Sequence, residues 1–225
     1  MRRVAKLYQS SVGKKILMAL SGLILFGFIV GHMVGNLKVL SGPESFNAYA
    51  EFLRDFGYPL IPHEGFLWVF RIVLLGAVLL HAASAFQLWG TSRSARSGMY
   101  RKTVDLSFSY ASRTMRWGGV ILALFVVYHI LHLTTGTVHV DFVAGDVYHN
   151  YVVAFQSPII LGFYAVAQAA LCFHLYHGLW SVTQTLGASH PKYNPLRRPV
   201  AVVLALGIFV GFLIPPVLVA TGVVS

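Results

Sequence analysis

Five stretches of the chain are long and apolar enough to cross a lipid bilayer, at about 16–37, 66–89, 117–137, 158–184 and 199–221. A spanning helix needs about 20 predominantly apolar residues. Hydrocarbon offers no water to satisfy the backbone, so such segments must close their own hydrogen bonds as helices. The expected fold class is all-α, an integral membrane bundle of five transmembrane helices in a single membrane domain over residues 1–225. Composition agrees. Hydrophobic residues make up 56% and charged residues only 11%, where a soluble domain carries about a quarter charged. The basic opening, MRRVAKLYQSSVGKK, leads into a helix too long for a cleavable signal and without a small-residue cleavage site, so it reads as a retained first span.

A net charge of +10 raises nucleic-acid binding as an alternative, and the distribution of the charge excludes it. With a cytoplasmic N-terminus and five alternating spans, the C-terminus lies outside. Fourteen of the seventeen basic residues then fall on the inner segments, among them Lys14, Lys15, Arg93, Arg96, Arg113, Arg116, Lys192, Arg197 and Arg198. Six of the seven acids (Glu44, Glu51, Asp55, Glu64, Asp141 and Asp146) fall outside. The basic excess is a topology signal.

No internal repeat or separate soluble domain is evident. The first outer loop contains an amphipathic stretch, SFNAYAEFLRDF, expected as a short interfacial helix. The last inner loop holds Pro191, Pro195 and Pro199 and is expected to be irregular. Pro215 and Pro216 are expected to kink or end the outer turn of the fifth span. The lone Cys172 has no disulfide partner and reads as a small packing residue.

The histidines carry the chemistry. His63, His139, His149 and His190 sit in loops, where a solvated imidazole is the default. Six others lie within spans: His32, His81, His129, His132, His174 and His177. Ionisable groups in the bilayer are costly and mark partners or function. At a rise of about 1.5 Å per residue, His32 and His129 sit roughly 10 Å below the outer boundary. On the same rise, His81 and His174 sit roughly 25 Å below it. His132 and His177 fit these two levels nearly as well, being three residues away on the same helix faces. Two facing imidazoles at one level can grip a haem iron from above and below, and two stacked pairs would form an electron path across the membrane. Small residues leave room for a flat ring: Gly22, Gly27, Gly31 and Gly35 around His32, and Gly76, Ala77, Ala82 and Ala83 around His81. A proton-coupled transporter would more often show membrane carboxylates, and these spans contain no Asp or Glu. A zinc site would gather three or four ligands at one depth.

The segment SPIILGFYAVAQAALCFHLYHGLWS resembles the fourth span of the haem-bearing membrane anchor of succinate:quinone oxidoreductases, the succinate dehydrogenases and fumarate reductases. The likeness is to the single-subunit, five-span, two-haem cytochrome b type. VGHMVGN, LLHAASAF and VVYHILH resemble its other ligand segments, and SFNAYAEFL its first outer loop. The resemblance implies an inner haem b on His81 and His174 and an outer haem b on His32 and His129. It leaves His132 and His177, with Arg113 and Arg116, as neighbours of the ligands or of the haem propionates.

The resemblance further implies a multi-pass protein of the cell's inner (cytoplasmic) membrane. It would anchor a flavoprotein subunit and an iron–sulfur subunit at the cytoplasmic face and exchange electrons with a quinone, menaquinone being expected. Trp180 near the inner boundary is a candidate border of a quinone pocket, and Glu64 at the outer mouth of span two a candidate proton handler. No Gly-rich dinucleotide fingerprint is present, so no flavin or succinate site is expected on this chain. A cytochrome b subunit of another respiratory dehydrogenase, such as a formate dehydrogenase or nitrate reductase, is the alternative.

Overall fold

The computed structural model describes residues 10–95, 106–188 and 190–225. The expected inner-face cations Arg2, Arg3, Lys6, Arg96, Arg101 and Lys102 lie outside the described residues, as does the side chain of Arg113. Among the described residues every regular element is helical: α1 (Ser11–Leu37), α2 (Pro43–Asp55), α3 (Gly65–Ser94), α4 (Leu106–His129), α5 (Val147–Gln156), α6 (Pro158–Thr185) and α7 (Arg197–Ala220).

Five of the helical segments are long and apolar enough to cross a membrane: Ser11–Ser41, Gly65–Ser94, Met115–Thr134, Pro158–Thr185 and Asn194–Ala220. Their apolar side chains point largely outward, as Leu124 and Leu79 do at 68% and 60% exposure. Such a surface is unfavourable in water and natural in lipid, where helix association rests on close packing and polar contacts. The closely packed helix pairs include α1 with α3, α6 with α7, α4 with α6 and α1 with α7. Gly211 on α7 lets that helix close on α1, since a Cβ there would strike Met33.

Local signals set the helix ends. The Ser10 side chain accepts from the Gly13 amide at 3.0 Å and starts α1. Gly42, at φ +88°, makes the left-handed turn between Lys38–Ser41 and α2, which opens on Pro43. The interfacial helix expected from SFNAYAEFLRDF is α2.

Three expectations change. Residues 147–156, read as loop, form α5. The third span stops at Thr134 rather than near 137, its last turn loosening to π-helical over Ile130–Thr134. α7 runs through Pro215 and Pro216 to Ala220. The two missing donors fall near the helix end, where Thr221 N–H still reaches the Val217 carbonyl at 2.9 Å. Both prolines are buried against neighbouring elements, the setting in which membrane helices tolerate them.

One end of the bundle is closed by a polar and aromatic cap. Val39, Phe46, Tyr151, Val152, Phe155, Tyr164 and Val219 form its buried core. Asn47 of α2 ties it together, its amide donating to Asp146 at 2.9 Å and its carbonyl accepting from the Tyr148 amide at 3.0 Å. Asp146 also accepts from the His149 amide at 3.0 Å and so caps α5. The buried Asn150 accepts from Val143 N–H and donates to Val143 C=O, both at 2.8 Å.

The His149 amide, and next the Asn47 side chain, hold the Asp146 carboxyl below its ordinary 3.8. A carboxylate with a depressed folded value adds stability that is complete above the unfolded value and is lost as pH falls through the folded one. Asp146→Ala is expected to cost about 1 kcal/mol, seen as roughly fivefold faster exchange of the His149 and Asn150 amides. Hydrogen-exchange mass spectrometry should find that the difference from the parent protein shrinks in acid below the usual carboxylate range.

Candidate functional site

Helix α1 delivers His32 and the last residue of α4 delivers His129. Their ring centroids lie 5.7 Å apart with planes at 82°. Phe28 stacks on His32 at 5.2 Å and Phe125 on His129 at 5.7 Å, so each ring is flanked by an aromatic wall one turn away. Phe212 of α7 also stands against His32, at 5.8 Å with planes tilted by 50°. The second pair comes from α3 and α6. His81 and His174 face each other with centroids 6.0 Å apart and planes at 61°.

Both separations have a chemical meaning. Metal–imidazole bonds run about 2 Å, so the two rings of each pair stand close enough that they could hold one metal between them. Two of the four rings have a hydrogen-bond partner at Nδ1. His81 Nδ1–H donates to the Met18 carbonyl at 3.0 Å, leaving Nε2 with its lone pair directed elsewhere. His129 Nδ1 meets the Tyr164 hydroxyl at 3.3 Å. His174 Nδ1 is buried and has no hydrogen-bond partner. Glycine lets the His81 ring fit, since a Cβ on Gly22 would lie 3.2 Å from His81 Cε1, whereas one on Gly119 would make only ordinary contact with His174 Cε1 at 4.0 Å. Nothing lies within 4 Å of a Cβ placed on Gly27, Gly31 or Gly76. Gly22 therefore serves His81 rather than His32, and Gly35 packs on Tyr49.

The remaining span histidines are engaged otherwise. His132 is buried, stacked between Tyr128 at 5.2 Å and His139 at 5.0 Å, with Nδ1 at 3.0 Å from the Tyr164 hydroxyl. His177 lies edge-on to Trp180 at 5.8 Å, and Arg198 sits over the Trp180 ring at 5.3 Å. Arg116 lies over Trp89 at 5.4 Å, and with Ser92 and Arg93 they line a cavity of about 180 Å³. Glu64, at φ +59°, pairs with Arg71 at 3.3 Å and stands 3.9 Å from Arg54.

His63 and His190 are exposed, as expected of loop histidines, but the loop histidines also have hydrogen-bond partners beyond water. His63 bonds Asp55 at 2.7 Å, and His149, on α5, bonds Asp141 at 3.1 Å. His139 Nε2–H donates to the Asn150 carbonyl at 2.9 Å while Nδ1 accepts from the Asp141 amide at 3.1 Å. Tyr164 is the residue that sequence reasoning missed. Its only trace in the sequence is a tyrosine in an apolar run, ten residues before His174.

The family of succinate dehydrogenase/fumarate reductase transmembrane subunits matches residues 87–214. The chain belongs to this family. It is also 28% identical over 193 residues to the succinate dehydrogenase cytochrome b558 subunit of Bacillus subtilis (strain 168), covering 85% of this chain and 87% of that one. No solved structure matches the chain. A transmembrane subunit of a succinate dehydrogenase or fumarate reductase leaves no place for the transporter reading or for a formate dehydrogenase or nitrate reductase subunit. The family match includes His129 and His174 but begins after His32 and His81. The ring geometry supplies their partners from α1 and α3.

Proposed function

We propose that this chain is the haem-bearing membrane subunit of a succinate:quinone oxidoreductase, with His81 and His174 holding an inner b-type haem and His32 and His129 an outer one. The observation that carries the reading is the two pairs of facing imidazoles, at 5.7 and 6.0 Å, each pair joining two helices outside the closest-packed pairs. The donor set fits the group. Neutral imidazoles in an apolar surround suit haem iron, and the buried His174 Nδ1 is left without a hydrogen-bond partner among the described residues. Haem, when bound, supplies one-electron transfer at a potential set by its axial ligands and surroundings.

The chain's own residues orient the rings, exclude water and present charge. Phe28, Phe125 and Phe212 wall the outer pair, and Met18 fixes the His81 ring. Arg93 and Arg116, beside Trp89 at the basic end, offer cations to haem propionates or to an acidic partner surface. That end faces the cytoplasm by the charge rule, where it docks the flavoprotein and iron–sulfur subunits. The complex sits in the inner membrane, and its electron partner is a quinone, menaquinone by likeness to two-haem relatives. Trp180 and Glu64 are each already engaged, the one by Arg198 and the other by Arg71, so they fit an anchoring role better than a quinone or proton site.

The purified complex is expected to contain two b-type haems per copy of this chain by pyridine haemochrome assay. His81→Ala and His174→Ala should each remove one haem, and His32→Ala and His129→Ala the other. A complex without haem, or four variants with unchanged content, would refute the assignment. A methyl at Gly22 would press on His81, a contact tighter than ordinary packing. Gly22→Ala should therefore lower inner-haem occupancy or shift its absorbance maximum, with the outer haem unchanged.

A further inference from the structure

The Tyr164 hydroxyl stands between two imidazoles of one helix turn, 3.3 Å from His129 Nδ1 and 3.0 Å from His132 Nδ1. A phenol has one proton to donate and lone pairs to accept with. A ligand histidine whose Nε2 faces its partner carries its proton on Nδ1 and needs an acceptor there. Only one arrangement satisfies all three groups: His129 Nδ1–H donates to the Tyr164 oxygen, and the Tyr164 O–H donates to His132 Nδ1.

His132 is itself fixed. It is buried at 3% exposure and stacked at 25° on His139. His139 is locked as the neutral Nε2–H tautomer by the Asn150 carbonyl and the Asp141 amide. Asn150 is buried and held by two hydrogen bonds to the Val143 backbone. The outer loop is thus joined through His139, His132 and Tyr164 to the back of the His129 ring. Tyr164 cannot swing away cheaply, since it is packed edge-on to Phe125 at 5.1 Å and Phe155 at 4.9 Å.

We infer that Tyr164 is a positioning residue for the outer-pair histidine His129, and that His132 acts by orienting the Tyr164 hydroxyl rather than by binding iron. The inference rests on the two-haem reading above. An acceptor at Nδ1–H makes an imidazole a stronger electron donor and favours the oxidised metal. Removing the acceptor favours the reduced one.

The test is a spectroscopic redox titration of the assembled complex purified from membranes, with electron paramagnetic resonance of the oxidised form. Tyr164→Phe should retain both haems and raise the reduced-to-oxidised ratio of the outer haem about fivefold at a fixed potential, the equivalent of one ordinary hydrogen bond. Its low-spin signal should move and that of the inner haem should not. His132→Leu should shift the outer haem in the same direction, and His132→Asn, which keeps an acceptor near Nδ1, should stay close to the parent. The double variant Tyr164→Phe/His132→Leu should shift no further than Tyr164→Phe alone, because the two bonds are in series.

An unchanged outer haem in Tyr164→Phe, or additive shifts in the double variant, overturns the inference while leaving the two-haem reading intact. A parent complex without haem overturns both. If Tyr164→Phe does not assemble, the contrast between His132→Leu and His132→Asn decides, and equal titrations of the two overturn the inference.

Discussion

An imidazole placed in hydrocarbon has a donor and an acceptor to satisfy, and no water to satisfy them. That demand organises the interior of this bundle. His81 meets half of it with the Met18 carbonyl, and His129 with the Tyr164 hydroxyl. In each case the nitrogen left over belongs to a ring that faces a second imidazole across about the width of one bridged metal. The helices that carry each pair, α1 with α4 and α3 with α6, are not among the pairs in closest contact. On the proposed assignment the haems would occupy the space between them, and Gly22 keeps side-chain bulk away from the His81 ring.

The cap at one end of the bundle follows from the same economy of polar groups. A bundle with lipid-facing Leu, Val and Ile has little interior left for packing, so the loops supply rigidity. Asn47, Asp146 and Asn150 pair their polar atoms across three segments, and Phe46, Tyr151 and Phe155 fill the space beneath. The cap core includes Tyr164 itself, so the surface structure and the outer histidine pair share a residue. At the opposite end Arg93, Arg116, Lys192, Arg197 and Arg198 stay near the boundary, where charge can meet water, lipid headgroups or a partner protein.

Much of this was legible in the sequence, for one reason: in a membrane the length of an apolar run and the depth of a polar residue are nearly one-dimensional quantities. Spans could be counted, and a fixed rise per residue sorted His32 with His129 and His81 with His174. Rotation about the helix axis is another matter. Gly22, ten residues before His32 and so about 15 Å deeper, shares the level of His81, but only the folded helix shows that its face turns to that ring. Glu64 reads as a solvated acid until Arg71, two turns along α3, and Arg54 of α2 are brought to it. α5 was read as loop because ten residues with moderate periodicity need Asp146 and Asn47 to hold them helical. Tyr164 was invisible because its importance lies in a hydroxyl direction, which no periodicity encodes.

The two storeys differ in how they hold their histidines, and the difference bears on which can be tuned. The inner ring His81 is steadied by a backbone carbonyl, a group that no substitution at Met18 removes. Ser21 reinforces it from the same turn, its hydroxyl donating to the Leu17 and Met18 carbonyls at 2.7 and 3.2 Å. The outer ring His129 leans on side chains: Tyr164 directly, His132 and His139 behind it. Side-chain partners can be exchanged one at a time while the helix path stays intact. Substitution can therefore reset the hydrogen bonding of His129 far more readily than that of His81. On the proposed assignment, a chain of this design keeps the potential nearer its partner subunits fixed by the backbone and leaves the far one to side-chain chemistry.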